Sequence, residues 1–188
     1  PKSLRAGIDS IEFLPIAGDK PMTWAQSLDA NYTDGIVVLH RGRIVYETYR
    51  GALAEDRHHI AFSVTKSFIG TLAATLVHEG KLDANAPVSR YLPELKDSGF
   101  GDATVAQVLD MTSALKFTET YGSTSGDFLD YALASGFSPR PPGYRGPAHT
   151  YAYLATVPKQ GEHGKAFTYR SINTDVLGWL IARVSNRP

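Results

Sequence analysis

Phe68, Ile69, Leu72, Ala73, Leu76 and Val77 recur at the spacing of one face of a helix. Ser63 before them suits an N-cap, and Gly80 after them suits a stop. The pattern therefore predicts a helix opening at Ser63. Val176, Leu177, Leu180, Ile181 and Val184 predict another near the end of the chain. Between the two, Thr104 and Gln107 have capping-box spacing ahead of Val105, Val108 and Leu109, which predicts a helix ending near Met111. Phe128, Leu129, Ala132 and Leu133 suggest one more, short helix. Upstream, Gly35–Leu39 and Ile44–Glu47 read as two strands of a hairpin with Arg41-Gly42 in the turn. Residues 1–33, punctuated by Pro15, Gly18 and Pro21, read as an arm, and residues 138–147 as a surface loop by composition.

The first helix carries the chemistry. Residues three apart lie on one helical face, so the Ser63 hydroxyl and the Lys66 amine stack where a proton can pass between them. Lys66 shares its stripe with Ile69, Gly70 and Ala73, which faces it inward, and an inward lysine needs a reason. A serine becomes a competent nucleophile when a neighbour takes its proton, and a desolvated lysine can do so. A helix cap followed by a surface lysine accounts for the same four residues, and Ser113-Ala114-Leu115-Lys116 repeats the spacing where no helix continues. A second constellation changes the weighing. Tyr169 follows a short extended piece, Lys165–Thr168, and precedes the last helix. A phenol at such a junction can project into a cleft and relay protons beside a lysine. One of ten tyrosines could equally just pack.

Composition removes several alternatives. Lysine plus arginine equals aspartate plus glutamate at 19 each, so no broad charge points to nucleic acid or an anionic membrane. Cysteine is absent, which excludes disulfides and thiol catalysis. The six histidines form no metal-ligand pattern, although His163 stands near Tyr169 in sequence. No apolar run approaches the ~20 residues of a membrane-spanning helix. The chain reads as a soluble globular piece, and nothing singles out a compartment. No Gly-x-Ser-x-Gly elbow is present, which counts against an α/β-hydrolase.

Taken in order, these motifs resemble the serine β-lactamase and penicillin-binding-protein superfamily, in its class C-like branch. The closer likeness is to the 6-aminohexanoate-dimer hydrolases and related esterases. It runs from about Asp34 to the end, through Phe62–Ser67, Glu79–Asp83, Pro87–Leu95, Thr104–Met111 and Phe167–Trp179. The resemblance implies an α+β fold of the β-lactamase/transpeptidase type, with residues 1–188 forming part of a single domain. It implies that Ser63 is acylated, that Lys66 is its proton acceptor or electrostatic partner, and that Tyr169 protonates the leaving group. Ser171 and Asn173 both stand near the position of a substrate-contacting asparagine in penicillin-binding relatives, and Tyr121 near a substrate-contacting tyrosine. No cofactor or metal is implied; the partner is a small ester or linear amide. β-Lactamase or DD-peptidase activity is the alternative within the same chemistry, and a non-catalytic ligand-binding relative the alternative outside it. Family members continue past the last helix into strands that supply a second oxyanion donor. The expectation is therefore a fragment, inactive alone, since losing one such donor costs about a hundred- to a thousandfold in rate.

Overall fold

The computed structural model describes residues 12–13 and 20–187. The chain divides into two compact units, one ending at Ala61 and the other beginning at Phe62.

In the first unit, strand β1 (Glu12–Phe13) pairs antiparallel with β2 (Met22–Thr23). Helix α1 (Trp24–Ala30) follows at once. Residues 1–11 and 14–19 of the predicted arm lie outside the described residues, and much of the rest is regular structure. Thr23 caps α1 through its side chain, and Gln26 reaches back to the Thr23 N–H at 2.8 Å. Leu28 is the residue this short helix buries. The predicted hairpin forms as β3 (Gly35–His40) and β4 (Arg43–Tyr49), with a bulge between Val38 and Leu39. Its two-residue turn needs positive φ twice, and Arg41 and Gly42 supply +51° and +73°. The Trp24 indole N–H donates to the Tyr46 hydroxyl at 3.0 Å, tying α1 to β4.

The second unit is helical. It comprises α2 (Val64–His78), α3 (Val105–Leu109), α4 (Asp127–Ser135), α5 (Thr150–Leu154) and α6 (Ser171–Ser185). Two single 3-10 turns lie between α2 and α3. Helix α6 packs against α2 and α3. Its Ile172, Val176, Leu177 and Leu180 join Leu82, Leu92, Phe100, Val108 and Leu154 in one core. The capping box at Thr104 forms as predicted, with Gln107 N–H donating to Thr104 Oγ1 at 3.1 Å. Helix α2 turns Ile69, Ala73, Leu76 and Val77 toward that core, whereas Phe68 and Leu72 from the same predicted apolar set stand exposed at 66% and 53%. The loop at 138–147 is held by Arg140, which donates to the carbonyls of Leu133, Ala134 and Ala148.

The second Ser-x-x-Lys sequence is not helical. Ser113 is buried, Leu115 forms a β-bridge with Lys159, and Lys116 N–H donates to the Pro158 carbonyl at 2.9 Å.

Candidate active site

Helix α2 begins with two tight i→i+3 backbone bonds, Thr65 N–H to Phe62 and Lys66 N–H to Ser63. Ser63 holds the N-cap position, but its side chain makes no capping bond, contrary to the sequence expectation. The hydroxyl is occupied elsewhere. It accepts from Lys66 Nζ at 3.0 Å and from the Tyr169 hydroxyl at 2.6 Å. Phe62, just before it, adopts φ +42°, a left-handed conformation that L-residues occupy at a cost.

Tyr169 is 38% exposed and reaches Ser63 from the extended turn ahead of α6. Lys66 Nζ lies 5.1 Å from the centre of its ring. Partial burial pushes the phenol up, but the hydrogen bond with Ser63 and the bonding and positive charge of Lys66 outweigh it. The phenol therefore ionises below its ordinary value. A hydroxyl flanked in this way can pass its proton to whichever neighbour is in its unprotonated form and take it back.

Ser63 and Lys66 line a cavity of about 240 Å³ whose walls include Phe62, Tyr121, Phe128, Tyr131, Phe137, Ser171 and Asp175. Its walls are largely aromatic, with a polar floor, as small-molecule sites tend to be. A wider groove of about 680 Å³ lies on the far side of Thr65, Thr174 and Asp175, lined also by His149 and Tyr151. It contains neither Ser63 nor Lys66, so the smaller cavity is where this chemistry can act. Asp175 is mostly buried, which pushes its carboxyl above the usual carboxylate range, and it accepts from the Tyr131 hydroxyl at 2.9 Å.

The other sequence candidates divide. Tyr121 stands at the cavity, 62% exposed, with its ring against Phe128 at 4.8 Å. Ser171 is also on the wall. Asn173 is not: it is fully buried, and its Oδ1 accepts from Ser113 Oγ at 2.5 Å. Two residues beyond Ser171, the helix has turned from the cavity into the core, beside Ile172 and Val176. His163 is likewise engaged elsewhere, accepting from the Ala114 N–H and facing Asp102.

Glu119 escaped the sequence reading. Its carboxylate accepts from the Tyr121 hydroxyl, from Ser171 Oγ at 2.7 Å and from the Ser171 N–H at 2.5 Å. It caps α6 from 52 residues away, where the helix dipole favours negative charge. No local pattern marks such a contact. Asp175 lies within Phe167–Trp179, and an acidic residue beside Val176 of the apolar stripe is the signal that marks it. Among the described residues no group of three or more His, Asp or Glu side chains could hold a metal.

Comparison with known proteins gives the family. The beta-lactamase family profile covers residues 26–188. The chain belongs to the beta-lactamase family. Within that family it is 37% identical, over 85% of its length, to a 6-aminohexanoate-dimer hydrolase of Paenarthrobacter ureafaciens, covering 40% of that protein. It is 45% identical to a beta-lactamase of Providencia stuartii over 67% of this chain and 27% of that one. A solved Bacillus anthracis structure, provisionally assigned as a 6-aminohexanoate-dimer hydrolase, superposes with a TM-score of 0.83 at 29% identity. That superposition covers 96% of this chain and 47% of the other. A class C beta-lactamase of Rhodobacter sphaeroides shares the fold at TM-score 0.55 and 23% identity, over 88% of this chain and 43% of that one. The chain thus spans less than half the length of the relatives it matches.

Proposed function

We propose that the full-length gene product is a serine hydrolase that forms an acyl-enzyme on Ser63 and acts on carboxylic esters or small linear amides. The observation that carries this reading is one hydroxyl, Ser63 Oγ, held at 3.0 Å by an amine and at 2.6 Å by a phenol. Ser63 Oγ attacks the substrate carbonyl as its proton passes into the Lys66–Tyr169 pair. The tetrahedral intermediate collapses when Tyr169 protonates the departing alcohol or amine. Water then attacks the acyl-serine and gives a proton to the pair, which returns it to Ser63 Oγ as the bond to the acyl carbon breaks and the acid leaves. In this reading the Ser63 N–H donates to the developing oxyanion, and proton transfer by the Lys66–Tyr169 pair is worth about 10²–10⁴ in rate. The similarity to a 6-aminohexanoate-dimer hydrolase supports the substrate class. The likeness to the Providencia enzyme supports β-lactam turnover as the second reading.

A fluorophosphonate probe followed by peptide mass spectrometry tests the nucleophile. Labelling at Ser63 that disappears in Ser63→Ala is the expected result; labelling that survives the substitution refutes it. Incubation with a short-chain nitrophenyl ester and with a penicillin separates the two substrate readings.

A further inference from the structure

The reaction proposed for Ser63 gives no part to Glu119, a carboxylate bonded to two residues of the cavity wall, Tyr121 and Ser171. Glu119 Oε1 accepts from both the Tyr121 hydroxyl and Ser171 Oγ, while Oε2 accepts from the Ser171 backbone N–H. Ser171 is the first residue of α6 and stands two positions after Tyr169. Tyr121 is exposed, and besides Glu119 it meets Phe128 through its ring and Ser171 through a hydrogen bond. We propose that Glu119 is a positioning residue, a carboxylate clamp that fixes Tyr121 over the cavity and the Tyr169–Ser171 turn beneath it, so that both phenols are set by one side chain. The inference rests on the hydrolase reading above, because the clamp matters to rate only if Tyr169 moves a proton.

Glu119 also acts on both phenols through its charge. The hydrogen bond to Glu119, helped by partial burial, raises the Tyr121 phenol. Its negative field opposes Lys66 at Tyr169. The charged and titratable groups facing Tyr169 are Lys66 from α2, and Glu119 with Tyr121 from the loop before α4. From α6, Asp175 lines the same cavity floor, and Arg170 points away to the carbonyls of Ser113, Leu115 and Phe117. Removing the Glu119 charge therefore lowers the pH at which both phenols ionise.

The test compares Glu119→Gln and Glu119→Asp in the full-length protein. Glu119→Gln keeps the length but loses the charge and one acceptor. Glu119→Asp keeps the charge but is too short for all three bonds. Both should lower kcat/KM for a nitrophenyl ester by about tenfold or more, since displacements on the order of 1 Å can cost 10²-fold. Only Glu119→Gln should move the alkaline limb of the pH–rate profile to lower pH. Carbon NMR of ring-labelled tyrosine, assigned with Tyr121→Phe and Tyr169→Phe, should show both phenols titrating earlier in Glu119→Gln. A twofold or smaller loss of kcat/KM with unshifted phenol titrations overturns the clamp. If the wild-type protein is not labelled at Ser63, the hydrolase reading fails instead, and the phenol titrations still decide whether Glu119 governs the two tyrosines.

Discussion

Arg170, wedged between Tyr169 and Ser171, offers the most direct test of how the site is held. Its guanidinium donates from Nε to the Phe117 carbonyl, from Nη1 to Ser113 and from Nη2 to Leu115, each at 3.0 Å. Carbonyls of alternate residues point the same way only along extended chain. The planar fork thus grips one edge of residues 113–117, while the Pro158–Gln160 backbone bonds the other edge. Hydrogen bonds to a charged donor are worth about 1.5–3 kcal/mol each, and a stranded buried acceptor costs about 1–3 kcal/mol. Simple addition exceeds the real loss, because one side chain serves all three and water can enter from the half-exposed side. Arg170→Ala should cost about 3 kcal/mol, a large part of the ~5–15 kcal/mol available to a typical domain. Arg170→Lys, able to serve one carbonyl at a time, should lose about half as much. Urea denaturation followed by tryptophan fluorescence reads both. A loss under about 1 kcal/mol for the alanine variant, or equal losses for the two, would show that the fork does not organise this segment.

Asp175 and Phe62 give two further predictions. Burial raises the Asp175 carboxyl in the folded protein, so the unfolded state gives up this proton first as pH rises. Stability is then greatest below the ordinary carboxylate range and falls as pH climbs through the raised folded value. Asp175→Asn, which keeps an acceptor for Tyr131, should therefore raise the urea midpoint at pH ~7 and have little effect near pH ~3; equal effects at both would refute the burial argument. Phe62 pays for its φ of +42° while 64% exposed, so Phe62→Gly should change stability by less than about 1 kcal/mol, whereas Phe62→Val should cost about 1–2 kcal/mol. Equal unfolding midpoints for the two variants would show that the left-handed conformation carries no strain.

What the sequence made legible was local. The helices opening at Ser63 and Thr104 declared themselves by apolar period and cap residue, the last helix by period alone, and the Arg41-Gly42 turn by the two apolar runs on either side of it. Helix α1 was hidden behind Pro15, Gly18 and Pro21, because it buries little besides Leu28, although the Thr23/Gln26 spacing that caps it was in plain view. Contacts made across long separations were not legible. Tyr169 reaches Ser63 over 106 residues, and only the family likeness anticipated it. Nothing comparable pointed to Glu119. Asn173 was placed at the cavity by counting from Tyr169, and a count along the chain does not see the rotation of a helix. One hundred degrees per residue carries position 173 into the core.

The exceptions to local rules are concentrated where the chemistry is. Ser63 declines to cap its own helix, Phe62 holds a left-handed backbone beside it, and Asp175 is a mostly buried carboxyl on the cavity floor. For Ser63 the physical consequence is direct. The hydroxyl oxygen of a capping serine would accept from backbone N–H groups of the first turn. Freed from that bond by the tight 3-10 start, the Ser63 hydroxyl turns to Lys66 and Tyr169 instead. Sequences agree with their folds at every level except where function requires a strained or unsatisfied group. That the violations fall on adjoining walls of one cavity, in a chain whose core is otherwise regular, is the strongest argument that the cavity is where the protein works.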